Sequence, residues 1–300
     1  MRASSSLRPR GFLRLHSAPD GVLAAALRHT VRYPCCVPTF EELTTPRAIR
    51  DGVFVHTVPE GWQQGRGAFG GLVLATLVRA AEAAAGRADQ SLRTLTAELC
   101  GPVQAGHADI VVERLRMGSG TSTLAVRLVQ EGQVQSHAVI VLGRDRTPDP
   151  EYTSVAKPVM AAWRDYAVMP TDPTEPSFAR FFDYRNTGPE PFAGGGEPYT
   201  AGWLRCHEPG RARDAAYLVG MADVWWPAVL SVMDRPRPAA TITFTLDLVG
   251  SCDGLAPEGP LFHEGRGLTA HSGFASEVRT LWGEDGRLLA INHQTFVVIK

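Results

Sequence analysis

No excess of either charge marks this 300-residue chain: 30 Lys and Arg stand against 31 Asp and Glu, a formal net charge of -1. The basic residues are spread along the sequence and form no stripe, which argues against a general binder of nucleic acid. Metal-type cysteine spacing is missing as well. The five cysteines, at positions 35, 36, 100, 206 and 252, include no CxxC. Their odd number suits small buried thiols in a reducing, cytoplasmic setting. No apolar run approaches the ~18 residues that a membrane span needs, and VLAAAL at 22 to 27 is bounded by Asp20 and Arg28. GxSxG does not occur, so there is no nucleophile elbow.

What is present begins with an arm. The first forty residues hold six arginines, several serines and no acid but Asp20. This composition cannot build a core, and a flexible arm over 1–40 is expected, a targeting segment being the alternative. The remaining length suits two domains.

One pattern then occurs twice, about 150 residues apart, a period that suits a duplicated domain. The first copy, 41–145, has the strand GVFVHTV, the glycine-rich turn GRGAFGG and the helix LVLATLVRAAEAAAG. The only polar positions of that helix, Thr76, Arg79 and Glu82, recur every three residues, so nearly all of its circumference must be buried. Four strand-like segments follow it. The second copy, 196–300, repeats the order with YTAGWLRC, the helical stretch DAAYLVGMADVWWPAVLSVM and four more strands. Between the copies, 146–195 is rich in Pro, Gly and aromatics and reads as a connector crossing the surface. Strand, buried helix, four strands, given twice, is an α+β double hotdog, each antiparallel sheet wrapping a helix.

Four stretches carry a family resemblance: GRGAFGGLVLATLVRAA, MADVWWP, TFTLDLVG and WGEDGRLLAINHQ. In their order and spacing they resemble the thioesterase II-like, double-hotdog acyl-CoA thioesterases, over roughly residues 40 to 300. The resemblance implies hydrolysis of acyl-CoA or acyl-carrier thioesters in lipid metabolism, by a water that Asp223, Thr245 and Gln294 hold. It implies no cofactor and no metal.

The residues themselves leave alternatives open. Asp223 lies in an apolar helical run four residues before Pro227, where a carboxylate must find partners or have its pKa raised; it is either a base or a structural partner for freed backbone. Strict alternation in TITFTLDLVG puts Ile242, Phe244, Leu246 and Leu248 on one face and Thr241, Thr243, Thr245 and Asp247 on the other. That polar face is either solvent-exposed or the wall of a site. Gln294 shares a face with Asn292 and Phe296, on an edge strand or with buried partners. Gly70 and Gly71 open the first helix, where they either bind the thioester carbonyl of the substrate or simply let helix and sheet approach. The first copy has no acid in the place of Asp223, and His137 falls near the place of Gln294, so one site per chain is expected.

A non-catalytic acyl-binding or scaffold protein keeps the fold without turnover, and a hotdog hydratase would use Asp and His at the spacing of Asp51 and His56. No basic cluster announces a CoA phosphate site; Arg66, Arg205, Arg211 and Arg213 are candidates. The expected partner is the acyl-CoA or acyl-carrier substrate, with no nucleic acid, no membrane span, and room for a homo-oligomer. Trp225 and Trp226, beside Asp223, are expected to shorten an acyl tunnel.

Overall fold

The computed structural model describes residues 37–146, 152–170, 172, 175–211, 213–251, 253–256 and 258–299. Most of the expected arm, with Cys35 and Cys36, lies outside the described residues, as does Cys252. The first half runs through α1 (Phe40–Thr44), β1 (Arg47–Arg50), β2 (Val53–Val58), the small hairpin β3 (Gln63–Gln64) and β4 (Gly67–Ala68), and α2 (Gly70–Ala85). It continues with β5 (Ser91–Leu99), β6 (Gly106–Met117), β7 (Thr121–Gln130) and β8 (Gln133–Gly143). The second half has β9 (Phe182–Asn186), β10 (Tyr199–Cys206), α3 (Ala215–Ala222), β11 (Ala239–Leu248), β12 (Leu261–His271), β13 (Phe274–Gly283) and β14 (Leu288–Val298).

Twelve of these strands form one antiparallel sheet in the order β1-β2-β6-β7-β8-β5-β11-β14-β13-β12-β10-β9. Its two halves join at β5 and β11, where Phe244 pairs with Ala97 and Thr245 with Thr96. This is a double hotdog, with α2 and α3 on the inner face. α2 is buried as its apolar sequence demands and ends at Gly86, whose φ of 61° is the left-handed cap a glycine adopts without strain. Thr76 does not join the polar stripe: it is buried, and its hydroxyl donates to the Leu72 carbonyl at 2.8 Å.

The two helices run antiparallel. Near the start of α2, Gly71 packs so close to the Gly220 carbonyl of α3 that a Cβ would lie 2.5 Å from it. Toward the other end, Arg79 grips Asp214, the N-cap of α3, through two hydrogen bonds of 2.6 and 3.2 Å.

Three differences from the sequence expectation matter for the site. The helical run expected to extend past Asp223 stops at Ala222, leaving Asp223 as the C-cap, and the chain resumes as a short 3-10 helix at Ala228–Val232. Pro227 has no N–H to donate to the Asp223 carbonyl and its ring crowds that carbonyl, so the helix cannot run on through 227; its end tightens instead, the N–H groups of Asp223 and Val224 donating to the carbonyls of Gly220 and Met221. The expected connector supplies a strand, β9, at the sheet edge, and its Trp163 packs with Trp203, Phe262 and Trp282. Third, β11 is bulged: Thr241 pairs with Phe296 and Thr243 with Thr295, leaving Ile242 unpaired between them. The bulge breaks the period of two and returns Thr241 to the inner face.

Candidate functional site

Residues directly opposite one another on paired strands share a face. Phe244 pairs with Gln294 and Ala97, all of them buried toward the helices. Its neighbour Thr245 pairs with His293 and Thr96, both exposed. The hydroxyl of Thr245 is therefore on the opposite face from Gln294, which corrects the expectation that the two hold one water. Thr245 contributes only its backbone carbonyl, which accepts from Asn292 Nδ2 at 2.8 Å. Thr241, carried inward by the bulge, takes the place: its Oγ1 donates to Gln294 Oε1 at 3.1 Å.

Gln294 is the hub. Its Nε2 donates to Asp223 Oδ1 at 3.1 Å and to Asn292 Oδ1 at 2.8 Å, so with Thr241 on Oε1 both polar atoms of this fully buried amide are bonded. Asp223 is only 8% exposed, and the backbone N–H of Gly71 acts on its carboxylate in favour of the ionised form. Burial is the largest influence on its carboxyl and pushes the pKa up to about 6. The Arg279 charge, the Gln294 hydrogen bond and the Gly71 N–H pull the other way, while Glu277 adds to the rise.

The start of α2 completes the site. Its N-cap, Phe69, provides no side-chain cap, and the Gly70 N–H has no partner among the described residues. A Cβ on Gly70 would lie 2.7 Å from Asp223 Oδ2, and one on Gly71 would strike both Phe69 and the Gly220 carbonyl. Glycine is thus required at both positions for the approach of the second half of the chain. Asp223, Gln294, Gly70 and Gly71 converge. Thr245 does not join them.

Aromatic rings close the surroundings. Phe178 of the connector stacks on Phe69 at 4.2 Å, and Phe181 on Trp62 at 4.3 Å. Trp225 is buried, stacked on His263 at 5.3 Å and pressed over Gly202, while its neighbour Trp226 is half-buried. Tyr184 donates to the Val224 carbonyl at 3.3 Å.

The sequence reading missed Thr241, hidden by the bulge, and the buried Glu277 and Arg279 of β13. Two opposite charges at alternate positions of FASEVRTLW, between Ala275 and Leu281, were the available signal for that pair.

No equivalent site forms in the first half. The start of α3 is capped by Asp214, whose carboxylate accepts from the Tyr217 N–H at 2.9 Å. The inward positions of β8, namely Ser136, Ala138, Ile140 and Leu142, carry no amide. His137 faces outward and meets Glu98 at 2.9 Å. Asp51 is exposed and paired with Arg114, whereas His56 is buried in β2, so these two do not act together. Of the candidate CoA arginines, Arg205 pairs with Asp183 and Arg213 donates to the carbonyls of Ala256 and Gly259, while Arg66 and Arg211 are exposed. The thiol of Cys206 is pushed up to about 12 by burial, which makes it inert as a nucleophile at neutral pH. Among the described residues no group of side chains could hold a metal ion, and no helix is long and apolar enough to cross a membrane.

Two family models match the chain: the acyl-CoA thioesterase N-terminal domain over residues 58–143 and the acyl-CoA thioesterase C-terminal domain over 159–298. No curated protein matches it in sequence. Among solved structures, a hot dog fold protein of unknown function from Alicyclobacillus acidocaldarius superposes with a TM-score of 0.80 at 23% identity, covering 87% of this chain and 98% of its own. The tesB protein of Mycobacterium avium subsp. paratuberculosis gives 0.71 at 16% identity, with 87% and 98% covered. The acyl-CoA thioesterase II TesB2 of Mycobacterium marinum gives 0.69 at 17%, again with 87% and 98% covered. At these identities the solved structures establish the fold.

Proposed function

The chain belongs to the acyl-CoA thioesterase family, and from that premise we propose that it hydrolyses acyl-CoA or acyl-carrier thioesters with Asp223 as the base. The observation that carries the reading is the meeting of an uncapped, glycine-opened helix with a buried carboxylate held by an amide. Asp223 takes a proton from water on its Oδ2 side as that water attacks the thioester carbonyl carbon. The free Gly70 N–H, at the positive end of the α2 dipole, receives the developing oxyanion. Collapse expels the thiolate, which recovers the proton from Asp223, leaving a carboxylic acid and a thiol. Gln294, braced by Thr241 and Asn292, orients the carboxylate. On this reading 41–145 and 196–300 are the two hotdog repeats, and only Trp226 of the tryptophan pair is open enough to touch an acyl chain.

The test is thiol release from a series of acyl-CoA esters of increasing chain length. We expect turnover on part of the series, with kcat/KM falling about tenfold per pH unit below about 6 as Asp223 is protonated. Binding of acyl-CoA without thiol release at any length would favour the non-catalytic acyl-binding protein instead.

Gly70→Ala probes the same geometry from the other side. The added methyl must displace the Asp223 carboxylate, and misplacing a base by about an ångström costs up to ~100-fold in rate. The expected result is a folded protein by circular dichroism with kcat reduced at least ~10-fold; unchanged kcat would place the reacting water elsewhere.

A further inference from the structure

Glu277 and Arg279 point inward from β13 with side chains only 2% exposed each, and Arg279 Nε donates to Glu277 Oε1 at 2.5 Å. A buried ion pair of this kind gives little net stability, since well-packed apolar side chains of similar volume often do as well or better. The second contact that each partner makes is more telling. Arg279 Nη1 donates to the Ala222 carbonyl at 3.2 Å, and Glu277 Oε2 accepts the Ala228 N–H at 2.6 Å. Ala222 is the last residue of α3 and Ala228 the first of the 3-10 helix. The pair therefore holds both ends of the loop Asp223–Pro227. Its arginine also lies 5.4 Å over the ring of Phe296, on the strand that carries Gln294.

We propose that Glu277 and Arg279 form a clasp that positions Asp223, fixing the two ends of its loop so that the carboxylate meets Gln294 and the start of α2. The proposal rests on the reading of Asp223 as the base. At the start of this loop the N–H groups of Asp223 and Val224 reach back to Gly220 and Met221, and Tyr184 holds the Val224 carbonyl, while Pro227 at its end has no N–H to donate. The clasp adds one anchor at each end of the loop from a single strand. It also sets the field at the carboxylate, because its halves act on Asp223 with opposite sign: Arg279 favours the ionised form and Glu277 the neutral one. Among the described residues the other groups that act on Asp223 are neutral, Glu175 acting on Tyr184 and not on Asp223. Gln294 of β14 and the Gly71 N–H of α2 are hydrogen-bond donors, burial keeps Tyr184 of β9 protonated, and burial with the charge of Arg279 keeps His263 of β12 unprotonated.

The experiment uses the full chain and the variants Arg279→Met, Arg279→Lys and Glu277→Gln. The Asp223 carboxyl is titrated by infrared difference against Asp223→Asn in each background, alongside kcat, KM and the acid limb of kcat/KM. Arg279→Met is expected to raise the Asp223 midpoint by about one pH unit or more, and to lower kcat at least ~10-fold with KM within a few fold. Glu277→Gln should move the midpoint downward. A pair that served stability alone would lower Tm in both variants and leave both midpoints at the wild-type value, and that result in folded protein overturns the proposal. Should Arg279→Met fail to fold, Arg279→Lys decides. Its single ammonium keeps the charge but cannot span both partners as the guanidinium fork does, so the midpoint should stay close to wild type while kcat drops; full kcat in Arg279→Lys also overturns the clasp. If the wild-type chain releases no thiol from any acyl-CoA, the proposed function fails by itself, and the carboxyl midpoints still test the clasp.

Discussion

Asp223→Asn is expected to fold and to lose at least ~100-fold in kcat for thioester hydrolysis, because an amide cannot take the proton of the attacking water. Stability should move the other way, or hardly at all. The Asp223 pKa of about 6 in the fold lies above the ~3.9 of an unfolded aspartate. A carboxyl raised in this way favours the fold at pH below about 4 and loses that contribution as pH rises through about 6. Two pH units correspond to about 3 kcal/mol at most. Asparagine never ionises, so its variant escapes the loss, but it replaces one carboxylate oxygen with an NH2 group that cannot accept from Gln294 or from the start of α2. The donor left over offsets part of the gain, at about 1–3 kcal/mol. Thermal melts of the two proteins should therefore show a difference in Tm that is most favourable to the variant above pH 6 and moves against it toward pH 4. Wild-type turnover in Asp223→Asn would show that another group is the base.

The second large effect concerns Gln294 and Thr241. Gln294→Ala removes the amide that bonds Asp223 and strips Thr241 and Asn292 of a partner, and a fall in kcat of about 100-fold is expected, a range associated with losing one preorganised group. Thr241→Ala acts only through Gln294 and should cost less. Residues acting as a unit are strongly non-additive, so the double variant should be little slower than Gln294→Ala by itself. Thr245→Ala is the matched comparison: its hydroxyl lies on the outer face, its carbonyl survives the substitution, and kcat should stay within a few fold of wild type. If log kcat losses for Gln294 and Thr241 summed, or if Thr245→Ala were the slow variant, the assignment of Thr241 would be wrong.

Why Thr245 was the expectation and Thr241 the finding shows what a sequence conveys. Alternation of apolar and polar residues in β11 marks the strand and its two faces, and α2 follows directly from its apolar circumference and terminal glycine. A bulge leaves no trace in that pattern, because the unpaired residue, Ile242, is an ordinary strand residue; only the pairing partners Phe296 and Thr295 reveal the slip. Asp223 and Gln294 were legible because a carboxylate in an apolar run and an amide in an apolar strand each demand a buried partner. That they answer each other across 71 positions is a product of the fold. The clasp left only a weak trace, two opposite charges at alternate positions, because charges on a strand ordinarily face water, and only the inward turn of that face makes Glu277 and Arg279 exceptional.

The pairing of β5 with β11 has a consequence for how this protein can be divided. Either half, cut free, would present the long middle strand of the sheet as a bare edge of unmet N–H and C=O groups, a template for aggregation or for recruiting a copy of itself. A copy of the first half would bring another glycine-opened helix and no carboxylate; a copy of the second would bring Asp223 and Gln294 facing a helix start already capped by Asp214. Self-pairing would thus rebuild the sheet without bringing a carboxylate to an uncapped helix start. An uncapped helix start and a buried carboxylate therefore meet only when one copy of each half is joined at β5 and β11.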